Sequence, residues 1–354
     1  MADYKKKLEE LILATIHQEG SDLHLGAGRV PAIRVEGELI FLVKNEILTQ
    51  EDMKGILGEF LEKEKISKFL EEKEADFSYD FKQGDARLRG NAFFQKGLIN
   101  IALRLVQKVR TLAELRLPPL LAELSRKKQG FFLVVGPVGQ GKSTTLSSMI
   151  SLINNEQTRS IMTIEDPIEH VYTPNKSIIN QREVGIDTKD FQVALKSVFR
   201  EDINVIMIGE MRTPETISTA VTAAETGHLV FSTLHTNNAS QTIDRIIDSF
   251  PGDQQEQIRA QLSSSLLGIF SQRLVPRIAG GLIPAYELLL NNNAVANLIR
   301  EKRTHEIDVV IETGSESGMV ALNHSLMELV RAGEISIESA YQYSLNPKGL
   351  ERMI

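Results

Sequence analysis

The sequence predicts an α/β protein with a smaller α+β domain in front of its main core, and three observations point there. Apolar runs at Phe131 to Val135, Ser160 to Glu165, Val205 to Ile208 and Leu229 to Leu234 alternate with helical stretches, the pattern of a parallel sheet covered on both faces. Runs that alternate apolar and polar residues ahead of position 106 read instead as antiparallel strands. At 354 residues the chain also exceeds the usual size of one compact core.

Taken in order, Leu8, Leu11, Ile12 and Ile16 fall at helical spacing and predict an amphipathic opening helix that stops at Gly20. Ala32 to Val35 and Leu39 to Val43 flank the hairpin-like pair Glu36-Gly37, and Thr49-Gln50-Glu51-Asp52 reads as a capping box opening a helix. Phe77, Tyr79 and Phe81 alternate with polar residues, and Arg87 to Phe94 and Leu98 to Val106 continue the same antiparallel sheet. Residues 1-105 therefore form the first domain. The stretch 106-119, broken by charges and by Leu117-Pro118-Pro119, reads as a linker, and 120-354 as the second domain. Past Pro251 the chain turns helical at Asp253 to Phe270, Asn293 to Arg300 and Leu322 to Arg331, with Pro284 to Leu290 as a late strand.

Composition narrows the function classes. Apolar residues make up 42% and charged residues 25%, as in an ordinary globular protein. With no cysteine there is neither a disulfide framework nor a thiolate zinc site, and the expected compartment is cytoplasmic. The opening MADYKKKLEELILATIHQEG carries too many charges for a signal peptide, and no stretch reaches the roughly 20 apolar residues that span a bilayer. Any membrane association is thus expected through a partner, without direct insertion. A net charge of −7 has the wrong sign for tracking a phosphate backbone, so no nucleic-acid partner is expected.

Gly136-Pro137-Val138-Gly139-Gln140-Gly141-Lys142-Ser143 fits the phosphate-loop pattern, directly after FFLVV and directly before helical TTLSSMISLI. Glycines let backbone N–H groups face phosphates, and the helix start adds its positive dipole end. Gly136 through Thr144 are therefore the expected ATP-binding residues. Lys142 is placed on the β- and γ-phosphates and Ser143 on Mg²⁺.

Such a site also needs an acid at the C-terminal end of a neighbouring strand. Glu210 closes VIMIGE, and Glu165 closes IMTIE ahead of Asp166-Pro167 and Glu169. A buried strand end carrying an idle carboxylate would cost several kcal/mol, which favours a role for both. For Asp166 and Glu169, a turn and a solvated acid are equally good readings. His235 ends the strand LVFSTL on the side expected to face the phosphates, where a polar group can sense the γ-phosphate. His17, His305 and His324 read as ordinary histidines.

Together these segments closely resemble the secretion-ATPase superfamily, specifically the type IV pilus retraction ATPases. The resemblance spans nearly the whole chain: SDLHL in the first domain, GPVGQGKSTT as Walker A, ITIEDPIEH as the Asp box, VIMIGEMR as Walker B and TGHLVFSTLHTNNA as the His box. It implies a PAS-like N-terminal domain, a RecA-like core, a hexameric ring with ATP between subunits, and a partner in the inner-membrane pilus platform. It gives Glu210 the catalytic role and Glu165 a metal- or water-positioning role, and it has arginines of the first domain reach the nucleotide, with Arg87, Arg89 and Arg104 on the matching strands and Arg89 and Arg104 preferred.

Four departures accompany it. The lack of cysteine separates the chain from extension-type relatives, which usually carry a four-cysteine zinc module. Ala294 to Glu301 matches the family's AIRNLIRE except that Ala296 replaces an arginine. Thr213 stands where an aspartate is usual, and Arg200-Glu-Asp-Ile-Asn204 lacks the usual Pro-Asp. The reading is a Mg-dependent ATPase that powers pilus retraction. The alternatives are an accessory subunit that joins a paralogous motor ATPase in one ring, or a related secretion or extension ATPase.

Overall fold

A computed structural model describes residues 3–35, 37–81, 83, 86–106 and 109–353, and the chain divides into two units, Met1–Lys108 and Val109–Ile354. Of the expected features, Glu36 of the hairpin pair and Gln107 and Lys108 of the 106-119 stretch lie outside the described residues.

The first unit opens with α1 (Tyr4–His17), followed by β1 (Asp22–Gly26), β2 (Ala32–Val35), β3 (Glu38–Phe41), α2 (Gln50–Phe60), α3 (Lys63–Glu72), β4 (Glu74–Phe81), β5 (Ala86–Gln95) and β6 (Leu98–Leu105). Its sheet runs β3-β2-β1-β6-β5-β4, with every pairing antiparallel. Helices α1 and α2 bury Leu8, Leu11, Ile12, Met53, Ile56 and Leu57 in one core with Leu23, Ile33, Leu88, Ile101 and Leu103 of the strands. The capping box is present: Thr49 Oγ1 accepts from the Asp52 N–H at 3.1 Å, while Asp52 Oδ2 accepts from the Thr49 N–H at 2.8 Å.

The second unit contains α4 (Leu120–Ser125), β7 (Gly130–Val135), α5 (Lys142–Glu156), β8 (Ser160–Glu165), β9 (Ile178–Glu183), α6 (Phe191–Val198), β10 (Val205–Ile208), α7 (Pro214–Glu225), β11 (Leu229–Leu234), α8 (Ala239–Asp248), α9 (Gln255–Ser265), β12 (Leu266–Pro276) and β13 (Leu282–Leu290). It ends in α10 (Asn293–Arg300), α11 (Ile307–Thr313), α12 (Leu322–Arg331), α13 (Ile337–Tyr343) and α14 (Pro347–Glu351). Seven strands run in the order β13-β12-β7-β11-β10-β8-β9, all parallel to their neighbours except β13 at one edge. Phe131, Leu133, Ile206, Ile208 and Ile269 face one hydrophobic core, and Phe132, Val134, Met207, Phe231 and Phe270 face the other. Both faces of the central strands are dry, as their unbroken apolar runs require.

The helix expected over Asp253 to Phe270 is corrected: α9 stops at Ser265, and Leu266 to Phe270 begin β12. Strand wins because this segment fills the gap between β7 and β13. At Gly268 an added Cβ would sit 2.5 Å from the Leu289 carbonyl oxygen, so the ladder closes only on a residue without a side chain. Ahead of α4, Leu112 and Leu117 are buried in the second unit's core, and Arg116 Nη1 donates to Glu334 Oε1 at 2.7 Å.

Candidate active site

The C-terminal ends of the parallel strands form the site. β7 ends at Val135, and the loop that follows wraps back to open α5 at Lys142. The wrap depends on residues that tolerate positive φ: Gly136 lies at +145°, with an added Cβ 2.4 Å from the Gln272 carbonyl oxygen, and Gly141 at +76°. The loop borders a cavity of about 440 Å³ that is also lined by Ser143, Thr144, Glu165, Asp166, Glu169, Glu210, Arg212 and His235. The helix start, with its unpaired N–H groups, faces this space, which suits an anion.

Lys142 is only 7% exposed, and its Nζ donates to the carbonyls of Gly136 at 2.9 Å and Pro137 at 2.7 Å. The same Nζ lies 3.2 Å from His235 Nδ1. An ammonium can only donate, so Nδ1 must accept and Nε2 must carry the ring proton. Glu210 Oε2 lies 4.0 Å from Nε2, beyond hydrogen-bond distance, so the Nε2 proton remains available to the cavity. Burial lowers the Lys142 pKa, against the opposing pull of Glu169 and Glu210. Burial, and then the charge of Lys142, also lowers that of His235, which keeps its ring neutral.

Glu210 extends from the end of β10 beyond Gly209, whose carbonyl accepts from Thr233 Oγ1 of the neighbouring β11. Its other oxygen meets the exposed guanidinium of Arg212, two residues on. Glu165, at the end of β8, is 5% exposed. Its Oε1 accepts from Thr163 Oγ1 at 2.7 Å and Gln181 Nε2 at 3.4 Å, and its Oε2 from the Glu169 N–H at 3.4 Å. Burial outweighs these bonds and pushes its pKa up to about 7.

The second unit thus brings Lys142, Ser143, Glu165, Glu210 and His235 around one cavity. Arg89 and Arg104 belong to the first unit, directly opposite one another across β5 and β6. Arg104 Nε donates to Asp22 Oδ1 at 2.9 Å while its side chain stays 70% exposed. Arg87 pairs at 3.6 Å with Asp80.

Sequence reasoning missed two supporting residues. Arg212 was in view within VIMIGEMR, and its place two residues beyond the acid was the available signal. Gln272 is buried in β12, where its Oε1 accepts from Thr145 Oγ1 at 2.6 Å and its Nε2 donates to the Gln140 carbonyl at 2.8 Å. Its signal was the polar Ser-Gln-Arg interrupting the apolar IF…LV run.

Residues 99–338 match the family described as type II/IV secretion system protein. The chain is 41% identical over 342 residues to the type IV pilus retraction ATPase PilT of Pseudomonas aeruginosa, covering 96% of this chain and 99% of that one. It is 42% identical over 322 residues to a twitching motility protein of Neisseria gonorrhoeae, covering 90% and 86%. A crystal structure of the pilus retraction motor PilT with bound ADP superimposes with a TM-score of 0.91 at 46% identity, covering 98% of this chain and 99% of that one.

Proposed function

The chain belongs to the type II/IV secretion system protein family, and from that premise we propose that it is an ATP-hydrolysing motor that powers type IV pilus retraction. Its fold is a RecA-like P-loop core preceded by a smaller PAS-like α+β domain. The observation that carries the mechanism is the row Lys142, His235, Glu210 beside the phosphate loop.

Residues 136 to 144 wrap the phosphates of ATP, and Lys142 exchanges its bonds to the Gly136 and Pro137 carbonyls for the β- and γ-phosphates. Among the described residues no three of His, Asp and Glu converge as a ready-made metal centre. A hydroxyl at the helix start beside substrate phosphates fits Mg²⁺, which accepts few protein ligands. Ser143 would hold it, and it would neutralise charge developing on the transferring phosphoryl group. Glu210 orients the attacking water and His235 presents Nε2–H toward the γ-phosphate, while Glu165 is the metal- or water-positioning acid. Arg89 and Arg104 are the arginines that complete the site in an assembled hexamer, where they offset transition-state charge.

The motor works on an inner-membrane platform from the cytoplasmic side; no helix among the described residues is long and apolar enough to cross a membrane itself. Replacing the gene by its Lys142→Ala form tests the reading in cells. Surface pili should accumulate and twitching should stop, whereas undiminished twitching, with no paralogue present, would sink it.

A further inference from the structure

Strand β12 touches both halves of the site, and it does so through consecutive side chains. Along a strand, neighbours point to opposite faces. Ile269 packs into the core that holds α8, and Phe270 into the core that holds α5. The polar residues that follow keep this alternation.

Gln272, on the α5 side and 3% exposed, joins the phosphate loop to the first turn of α5 through its bonds to Gln140 and Thr145. A carbonyl can only accept, so the amide nitrogen must face Gln140 and the amide oxygen must face Thr145. The loop returns the contact: Gln140 Oε1 accepts from the Leu274 N–H at 2.6 Å. On the α8 side, Ser271 Oγ donates to the Asn237 carbonyl at 2.9 Å, and Arg273 Nη2 lies 3.4 Å from the same oxygen and 3.3 Å from Asn237 Oδ1. Asn237 is two residues beyond His235. The same short loop is held at its far end by Glu287, directly opposite Ser271 on β13, whose Oε1 accepts from the Ala239 N–H at 2.8 Å. Glu287 is 8% exposed, and it sits at the N-terminus of α8, where the helix dipole favours a carboxylate.

We propose that β12 is a shared positioning element, with Gln272 holding the phosphate loop in its wrapped shape and Ser271, Arg273 and Glu287 holding the loop that aims His235. The strand thereby sets the spacing between Lys142 and His235, two side chains that approach within 3.2 Å from different loops. Because the polar residues point to opposite faces, their functions separate. Loss of Gln272 loosens nucleotide binding, and loss of Ser271 or Glu287 slows the step His235 assists. The inference rests on the hydrolytic reading of this cavity for its kinetic half only.

The test is ADP affinity by calorimetry, and kcat and KM for ATP, in full-length Gln272→Leu, Ser271→Ala, Glu287→Gln and Glu287→Met, each with its melting temperature. Gln272→Leu should weaken ADP binding and raise KM by about tenfold, the scale of one or two buried hydrogen bonds. Ser271→Ala should leave ADP affinity near wild type and lower kcat by roughly three- to tenfold. Glu287→Gln keeps an acceptor for the Ala239 N–H and should retain more of kcat than Glu287→Met. Changes in affinity and kcat by the same ratio on both faces of β12, or none in variants that melt like wild type, would overturn the proposal. ADP affinity reads the Gln272 half whether or not ATP is turned over. A wild-type chain that binds ADP without hydrolysing ATP would therefore count against the proposed function and not against that half.

Discussion

Lys142 and Glu210 stand at opposite ends of a three-residue row with His235 between them, so their variants should fail differently. Lys142→Ala removes the group proposed to meet the phosphates and should lower both nucleotide affinity and turnover to background. Glu210→Gln keeps shape and hydrogen bonding but not the charge proposed to orient water. It should bind nucleotide near normally while turnover falls about a hundredfold or more, measured by phosphate release against calorimetric affinity. Two buried acids also set a pH dependence. Glu165 and Glu287 are each raised from 4.5 to about 7 by burial, so the folded state binds more protons than the unfolded chain between these values. Stability is then greatest below 4.5 as far as these groups decide it, falls as pH rises through that window, and levels once both are ionised in the folded state. Thermal melts across the window should show a shallower decline in Glu165→Gln and Glu287→Gln than in wild type. Thr213, where the resemblance has an aspartate, caps α7 by accepting from the Thr216 N–H, a cap that an aspartate would also supply. Ala296 is buried in α10, at 8% exposure; nothing in the structure explains its replacing an arginine.

Among the elements, β8, β10 and β11 were legible to the residue because each is a short, largely apolar and largely buried run rich in β-branched residues, a pattern that leaves few alternatives. Helix α2 was legible for a different reason, its capping box. Thr49→Ala removes one side of that reciprocal pair and should lower unfolding stability by about 1 kcal/mol in a denaturant titration, with little change in turnover. Strand β12 was not legible: Leu266 to Phe270 follow α9 without a turn signal, and only their neighbours β7 and β13 decide that they are extended. Strand β9, Ile178–Glu183, was missed because its edge position leaves it mostly polar and partly exposed. The same division holds at the site. The phosphate loop, Glu165, Glu210 and His235 are singled out by motif and strand-end position, and Arg212 by its place two residues beyond the acid, whereas the contacts of Gln272 to Gln140 and Thr145 are tertiary and no sequence spacing encodes them. At the loop itself, Gly136→Ala would place a Cβ 2.4 Å from the Gln272 carbonyl oxygen on a backbone of positive φ. It should abolish nucleotide binding while the first unit remains folded, as read by calorimetry and circular dichroism.

On the scale of the whole molecule, the second unit supplies the loop, the acids and the imidazole of the site, and the first carries the cross-strand pair Arg89 and Arg104. Like charges directly opposite each other on adjacent strands repel, and Asp22 offsets only the Arg104 partner in the described contacts. An assembled ring that brings an anion to this pair would relieve the repulsion. Arg89→Ala and Arg104→Ala should then lower kcat by orders of magnitude at saturating protein, as loss of an arginine finger does, while leaving the phosphate loop able to bind nucleotide. Mg-ATP turnover per subunit across protein concentration tests most directly whether this ATPase site works in a ring. A site completed in a ring gives a rate that climbs with concentration and then levels as rings fill. A rate per subunit that is already maximal in the monomeric, dilute limit, or no turnover at any concentration, would contradict it.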